Sequence, residues 1–205
     1  MKSPFPNIEY NNEQFKSIDC RSTDVRSVEF NECKFNRCTF REAALIGCKF
    51  HNCTFLDCDF SLTKLNNCLF TEVVFKNCQL IGINWMETSL AKKNFLKTVD
   101  FLKCALNYST FTGLHLGKIQ MTDCIAHSVD FTDADLSLAD CSRTDFSESR
   151  FHNTNLSETN FTDATNYSIS VIDNNVKKAK FSLPEAMSLL YSLDIVLTDA
   201  SDSAE

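Results

Sequence analysis

Cysteine and histidine are the residue types in this sequence with the widest chemical repertoire. There are 11 cysteines and four histidines, enough for a metal centre or for acid–base catalysis. A structural zinc site usually takes cysteines about two to four residues apart, often with histidine. The cysteines here recur at intervals of five and ten residues, as in Cys33, Cys38 and Cys48, and no Cys-x-x-Cys pair occurs. This spacing disfavours zinc and iron–sulfur centres, so we expect no metal and no cofactor.

The histidines belong to no familiar catalytic motif. The sequence contains no HExxH, GxSxG, GxxxxGKS/T or GxGxxG pattern, which are the patterns typical of zinc proteases, hydrolases and nucleotide-binding sites. The four histidines fall at polar positions far apart in the chain, namely His51, His115, His127 and His152. An unpatterned pair such as Asp135 with Glu158 could still meet on one face of a fold. We expect a binding protein and not an enzyme.

The carboxylates are concentrated in one segment. The net charge is −7, which disfavours direct nucleic-acid binding, because that needs basic residues to neutralise phosphates. Residues 1–119 carry 15 Lys and Arg against 12 Asp and Glu, residues 120–163 carry two against nine, and residues 164–205 carry three against six. The segment 120–163 is therefore either the contact surface for a partner or an outer surface whose positions are simply polar. The candidate contact residues are Asp123, Asp130, Asp133, Asp135, Asp140, Asp145, Glu148 and Glu158.

A five-residue period indicates the elements that position these side chains. Large apolar residues recur every five positions from Phe15 to Phe95 and, after a step of six, from Phe101 to Phe161. A second series of mostly small residues stands two positions earlier and includes nine of the 11 cysteines. A helix repeats its apolar stripe about every 3.6 residues and a flat strand about every two, so neither explains the period. Cysteine behaves as a small hydrophobe, and we interpret the cysteines as core residues.

A solenoid accounts for this period. Four five-residue segments close a four-sided coil of 20 residues, and successive coils stack like parallel strands about 4.8 Å apart. Residues 20 apart then form columns, such as Phe30 over Phe50 and Cys38 over Cys58. The chain has only four glycines and three prolines, so the repeating backbone itself must turn the corners. About eight coils would give a rod of about 38 Å.

The repeat resembles that of a known family. Segments such as CKFNR-CTFRE and ADLSL-ADCSR are similar to the repeats of the pentapeptide repeat family. The resemblance covers residues 13–165 and implies an all-β fold, a right-handed quadrilateral parallel β-helix. It leaves residues 1–12 as an N-terminal cap.

One interruption breaks the repeat near residues 91–99. The large residues Phe95 and Phe101 are six positions apart, and Lys93 stands where a small inward residue belongs. Burying that charge without a partner would be costly, so we expect a one-residue bulge over Ala91–Thr98 that turns Lys92, Lys93 and Lys97 outward. A harmless bulge and a hinge or partner contact both remain open.

The C-terminal segment 166–198 departs from the repeat. Ser182 and Glu185 form a capping-box pattern around Pro184, and the apolar spacing that follows predicts a helix. Residues 194–198 suggest a short strand, and residues 199–205 a disordered tail. A solenoid end exposes unpaired backbone groups and needs a cap.

The stretch AKFSLPEAMSLLYSLDIVL resembles the C-terminal cap of a gyrase-directed branch of the family, the Qnr, MfpA and McbG proteins. The resemblance implies a homodimer joined through this helix and strand. The implied interface residues are Ala186, Leu189, Leu190, Leu193, Ile195 and Leu197.

The same resemblance implies a function. The chain would be a duplex-DNA mimic that binds DNA gyrase or topoisomerase IV and protects it from a quinolone or a peptide toxin. Qnr proteins carry longer loops that break their coils, so a one-residue interruption favours an MfpA-like or McbG-like role. The alternative is a structural or scaffold repeat protein with an unrelated protein partner.

The sequence favours a cytoplasmic location. The N-terminal stretch MKSPFPNIEYNNEQF is polar and lacks the apolar core of a secretory signal. No apolar run approaches the about 20 residues of a membrane helix. An odd number of cysteines leaves at least one thiol unpaired, and a reducing compartment would keep all of them free.

Overall fold

The computed structural model describes residues 4–89, 99–196 and 198. It shows a parallel β-solenoid of about eight coils with a short helical piece at Glu185–Leu193, so the predicted fold class is confirmed. The strands are short and all pair in parallel. They are β1 Glu9–Asn11, β2 Gln14–Lys16, β3 Asp24–Arg26, β4 Glu29–Asn31, β5 Lys34–Asn36, β6 Ala44–Ile46, β7 Lys49–His51, β8 Thr54–Leu56, β9 Leu69–Thr71, β10 Val73–Lys76, β11 Val99–Leu102, β12 Met121–Thr122, β13 Asn160–Phe161 and β14 Lys180–Phe181.

Each coil has four faces, and each face is one column of paired segments. The first face contains the sheet β1-β4-β7-β9, and the second contains the sheet β2-β5-β8-β10-β11-β12. The third face is held by single bridges such as Asp19 to Thr39. The fourth contains β3 and β6 and continues through the bridge of Asn84 to Thr110. Before the interruption, paired residues lie 20 positions apart, as Phe30 and Phe50 do.

The large inward residues fill the core as stacked columns. Phe30 and Phe50 stack with ring centroids 5.1 Å apart, and Phe35 and Phe55 stack at 4.5 Å. Neighbouring columns meet edge to face, as Phe30 and Phe35 do at 5.2 Å. All four rings are at most 1% exposed. Aromatic pairs of this kind contribute about 0.5–1.5 kcal/mol each beyond area burial, so the columns stabilise the stacking of coils.

The corners are turned by residues in the left-handed backbone region. One residue in nearly every five has φ between 48° and 68°, and most of them are not glycine, for example Asn52, Asp57, Leu62 and Asn67. Asparagine and aspartate tolerate this region better than most residues. The prediction that the backbone turns its own corners is confirmed, and it explains how four glycines suffice.

The small inward residues also join adjacent coils by hydrogen bonds. Cys58 Sγ donates to the Phe35 carbonyl at 3.6 Å and accepts from the Cys38 amide at 3.4 Å. Thr144 Oγ1 does the same with the Met121 carbonyl and the Cys124 amide, at 2.6 and 3.2 Å. Cysteine, serine and threonine are small enough for this position and carry the donor that it needs. The thiols are therefore core residues that also form hydrogen bonds between coils. The interpretation of the cysteines as plain hydrophobes does not include these hydrogen bonds.

The solenoid extends beyond both of its predicted ends. β1 begins at Glu9, inside the segment 1–12 predicted as a cap, and pairs with β4. The last pairing joins Asn160–Phe161 to Lys180–Phe181, beyond the predicted end at residue 165. The N-terminal opening is covered by Phe5, which is 5% exposed and lies 5.1 Å from the Phe30 ring.

The interruption holds more residues than its spacing suggests. Phe75 pairs with Phe101, 26 positions later, so this coil exceeds the usual 20 residues by six. Trp85 stacks on Phe111 at 5.6 Å with the same offset, which places the six extra residues between Trp85 and Val99. The predicted one-residue insertion is therefore wrong, because the register of Phe75 with Phe101 requires six extra residues in this coil. The predicted bulge with Lys92, Lys93 and Lys97 lies outside the described residues.

The C-terminal helix is a 3₁₀ helix over Glu185–Leu193 with Asp194 in the left-handed region at its end. The predicted capping box does not form, since Pro184 precedes the helix and no side chain caps it. Instead, Ser182 Oγ accepts from the Asp163 amide at 3.1 Å and Glu185 Oε1 accepts from the Asn166 amide at 2.6 Å. These side chains thus satisfy the backbone of the last coil. The strand predicted at 194–198 is not seen at Asp194, Ile195 or Val196, and Leu197 is not described.

Candidate protein-binding surface

The acidic segment forms a collar around the rod. We define the acidic collar as the carboxylates between Asp123 and Asp163. Bridges place Asp130 on the fourth face, Asp135 on the first, Asp140 on the second and Asp145 on the third. These four carboxylates therefore encircle a single coil. They do not form a row along one face, because each precedes an inward residue of a different side.

The four encircling aspartates also stabilise the corners that follow them. Asp130 Oδ1 accepts from the Thr132 amide at 2.9 Å, and Asp135 Oδ1 accepts from the Ser137 amide at 3.0 Å. Asp140 and Asp145 make the same contact two residues on, at 3.1 and 3.0 Å. This is an Asx turn, which favours the bend at each corner. Part of the acidity therefore has a structural cause.

Other collar carboxylates lie at the corners and point to solvent. Glu148, Glu158 and Asp163 have φ between 57° and 59° and are exposed. Glu148 accepts from Ser128 Oγ at 2.8 Å. Asp133, also at a corner, accepts from Asn153 Nδ2 at 2.7 Å. These corner positions present charge without forming Asx turns and are the better placed for a partner.

Two collar carboxylates form ion pairs with arginines: Asp130 lies 3.7 Å from Arg150, and Asp123 makes a closer contact with Arg143. Arg143 Nε and Nη2 donate to the two oxygens of Asp123 at 2.8 and 2.9 Å. The hydrogen bond from Arg143 lowers the pKa of Asp123. A planar two-point pair of this kind is stronger than a single contact, so Asp123 is the least available of the predicted contact residues.

Asp145 is the most strongly bonded carboxylate in the collar. Partial burial raises its pKa, but hydrogen bonds from Asn166, Ser147 and His127 outweigh this and hold the pKa well below the usual range. His127 Nε2 lies 2.8 Å from Asp145 Oδ2, and Ser147 Oγ lies 2.7 Å from Oδ1. Asp145 is therefore ionised throughout the physiological pH range.

This serine, histidine and aspartate group lacks the geometry of a catalytic triad. Ser147 and His127 each bond to Asp145, whereas a nucleophile must bond to the histidine that activates it. Asp135 receives Asn155 Nδ2 at 2.9 Å, and no contact joins it to Glu158 among the hydrogen bonds of the described residues. The arrangement therefore provides charge and hydrogen-bond acceptors and no nucleophile.

The cysteines are buried and unpaired. All 11 are free thiols at 0–2% exposure. Burial raises the pKa of Cys20 and of Cys53 to about 12, so both stay protonated and are poor nucleophiles. Within residues 4–89, 99–196 and 198, no group of three or more histidine, cysteine or acidic side chains is placed to hold a metal ion.

The predicted dimer residues fall on two sides of the C-terminal helix. Leu189 packs against the core, and Ala186 and Leu190 are half-buried. Leu193 and Ile195 are 42% and 48% exposed. Leu197 lies outside the described residues.

Apolar side chains at and beside the helix are also exposed. Leu183, just before the helix, and Met187 and Tyr191 within it are 77%, 43% and 73% exposed. Ile172 is 70% exposed and lines a shallow depression together with Tyr191. Residues three apart share a side of a 3₁₀ helix, so Met187 and Tyr191 lie on different sides. The spacing that predicts the helix assumes 3.6 residues per turn and does not single out these residues.

No helix in the part of the chain that the structure describes could cross a membrane.

Comparisons with known proteins bear on the family and the fold. No protein with a curated description matches the sequence. Among solved structures, a trypsin-treated variant of QnrB1, a plasmid-mediated fluoroquinolone resistance protein, matches with a TM-score of 0.66 and 16% identity, over 90% of this chain and all of that one. HetL, a pentapeptide repeat protein involved in heterocyst differentiation regulation in the cyanobacterium Nostoc, matches with a TM-score of 0.66 and 14% identity, over 84% of each chain. At these identities the likeness extends to the fold alone.

Two family models match the sequence directly. One, described as a pentapeptide repeat region, matches residues 28–97, and the other, described as eight copies of the pentapeptide repeat, matches residues 127–163. Together they cover just over half of the chain, on the columns and corners described above. The chain belongs to the pentapeptide repeat family.

Proposed function

We propose that this protein is a dimeric, non-enzymatic duplex-DNA mimic that binds DNA gyrase or topoisomerase IV and protects it from a peptide toxin or a quinolone. The observation that carries the proposal is the acidic collar, nine carboxylates against two arginines within residues 120–163. Duplex DNA carries negative charge on all sides, about one charge per 1.7 Å of its axis. A collar on all four faces offers a sparser version of the same field to a basic DNA-binding surface.

Two further observations support the proposal. QnrB1, whose fold is similar, is described as a fluoroquinolone resistance protein. The interruption holds six extra residues and not one, so its length no longer favours an MfpA-like or McbG-like role over a Qnr-like role.

A charge-reversal experiment tests the collar. Glu148→Lys, Glu158→Lys and Asp163→Lys are combined, because these residues lie at exposed corners and form no Asx turn. The matched control combines Glu32→Lys, Glu42→Lys and Glu72→Lys, which also occupy left-handed corners but lie outside the collar. We expect the wild type and the control to change gyrase supercoiling, with or without a quinolone, and the collar variant to have no effect. Equal effects of both variants would exclude the collar as the contact surface.

The dimer is tested at an exposed apolar residue of the helix. Tyr191→Glu places a charge where Tyr191 is 73% exposed, so the monomer fold should survive. We expect light scattering to give twice the chain mass for the wild type and the single mass for this variant. Ile8→Glu, at a residue 79% exposed near the opposite end, should leave the dimer intact. A monomeric wild type would exclude the dimer.

A scaffold protein with an unrelated protein partner is the second candidate. It is favoured by the Asx turns of Asp130, Asp135, Asp140 and Asp145, which stabilise the corners whatever the solenoid binds. HetL, of similar fold, is described as involved in the regulation of heterocyst differentiation. A failed pull-down of both gyrase subunits, with and without a toxin, would favour this candidate.

A further inference from the structure

A second charged surface lies on the N-terminal half of the rod, and its sign is opposite to that of the collar. We define the basic face as the outward side of the second face from Gln14 to Lys103. Only Asp57 and Asp100 carry negative charge there, and Asp100 is 5% exposed. The positive charges are Lys16, Lys34, Arg37, Lys76 and Lys103, all exposed.

Four of the five positive charges of the basic face have no carboxylate partner in the described part of the chain, whereas Lys103 lies near Asp123 and helps to lower the pKa of that carboxyl. The other five arginines of the chain all form ion pairs, as Arg21 does with Asp19 at 2.6 Å. Within the described residues, no carboxylate lies within ion-pair distance of Lys16, Lys34, Arg37 or Lys76. Asp57, the exposed acid beside Arg37, accepts instead from Asn77 Nδ2 at 3.3 Å. These cations are therefore free for a ligand.

Aliphatic side chains lie between the cations. Leu56, Val74 and Leu102 are half-buried on the same face. Lys16, Lys34 and Leu56 line a shallow depression of about 150 Å³. The surface thus alternates positive charge with small apolar patches over four to five coils, which is about 14–19 Å at the strand spacing.

We propose that the basic face docks an acidic segment of a protein partner that also carries aliphatic side chains. Carboxylates would meet the unpaired lysines and Arg37, and aliphatic groups would cover Leu56 and Val74. The partner cannot add a strand, because β5, β8 and β10 are interior strands that already have neighbours on both sides. Binding is therefore made by side chains and weakens with salt. This proposal concerns a surface apart from the collar and is independent of the proposed function.

The neighbouring charges favour a protein segment over a nucleic acid. The adjoining first face carries Glu9, Glu29, Glu32 and Glu72 against Lys49 over the same coils. A duplex has phosphates all around it, so it would bring some against these carboxylates and, further along the rod, against the collar. A narrow acidic segment is attracted by the basic face and avoids both.

Fluorescence anisotropy tests the proposal on the full chain. The probe is a labelled 12-residue peptide repeating Asp-Val-Glu-Ser, compared with its Asn-Val-Gln-Ser counterpart and with a labelled 20-base-pair DNA duplex. Two variants remove the site, Lys34→Glu with Arg37→Glu, and Lys16→Glu with Lys76→Glu. The matched control is Lys64→Glu with Lys178→Glu, which makes the same change of charge at exposed residues outside the basic face. Circular dichroism checks that each variant is folded.

We expect the acidic peptide to bind the wild type and the control alike, within a factor of two. Each basic-face variant should bind it at least tenfold more weakly, and the affinity of the wild type should fall as salt is raised. The proposal is overturned if the neutral peptide binds equally well or if all variants bind alike. It is also overturned if the DNA duplex binds more tightly than the acidic peptide.

Discussion

Replacing Thr144 by valine tests the hydrogen bonds between coils. Thr144 is fully buried, and its hydroxyl serves two backbone groups, the Met121 carbonyl at 2.6 Å and the Cys124 amide at 3.2 Å. Valine has nearly the same shape and leaves both groups without a partner. Each unpaired buried group costs about 1–3 kcal/mol, and the added methyl contributes about 1 kcal/mol in return. We expect Thr144→Val to lower the free energy of unfolding by about 1–5 kcal/mol.

Cysteine should rescue this position. Cys124, one coil earlier, uses its Sγ in the same way, donating to the Phe101 carbonyl at 3.4 Å and accepting from the Cys104 amide at 3.4 Å. Thr144→Cys keeps a donor and an acceptor at the same place. We expect it to cost under about 1 kcal/mol, since a thiol makes weaker hydrogen bonds than a hydroxyl.

Urea unfolding followed by circular dichroism measures both variants. A loss of about 1–5 kcal/mol moves the midpoint down by about 0.5–2.5 M in urea. Thr122→Val is the control, because Thr122 lies one coil earlier, half-buried on the outer side, and should change the midpoint little. If Thr144→Val proved as stable as Thr144→Cys, the hydroxyl would not be needed and the account of the small inward series would be wrong.

Three further predictions concern pH, a corner and the cap. The pKa of Asp145 is below its unfolded value, so the ionised carboxylate stabilises the folded protein above about pH 4, and this stabilisation is lost as pH falls further. Asp145→Asn should therefore lower the thermal midpoint at pH 7, and the difference from the wild type should shrink in acid. Gly113 has φ 68°, and no atom lies within 4 Å of the place that a Cβ would take, so Gly113→Ala should cost about 1 kcal/mol from backbone strain alone and Gly113→Asn clearly less, as read by thermal unfolding. Glu185→Ala should cost about 1 kcal/mol and speed hydrogen exchange at the Asn166 amide, whereas Glu185→Gln keeps an acceptor and should change that exchange little.

The five-residue period predicts most of the fold because it is a local and redundant signal. Each inward residue, such as Phe30, Phe50 or Phe70, repeats the same choice, and the three stack as their spacing requires. The burial of the thiols also follows from their positions in the repeat, although their hydrogen bonds to the preceding coil do not.

The parts that the sequence does not predict depend on contacts between distant coils. A six-residue step between Phe95 and Phe101 is compatible with one extra residue or with six, and only the pairing of Phe75 with Phe101 decides it. Ser182 and Glu185 match a capping box, but the unpaired amides of Asp163 and Asn166 compete for the same oxygens and bind them. The shape of the collar also depends on the coil, because aspartates five residues apart fall on successive faces and therefore encircle the rod.

The 26-residue coil sets the rotation of the C-terminal half of the rod about its axis relative to the N-terminal half. Because it keeps Phe75 in register with Phe101, the second face runs straight from β2 to β12. Had the chain returned to the columns one five-residue segment earlier, every later residue would have moved round by a quarter turn. Lys103 would then no longer stand in the column of Arg37, and the exposed apolar residues of the C-terminal helix would point another way. The length of this interruption therefore determines which N-terminal surface lies on the same side of the rod as a given C-terminal surface.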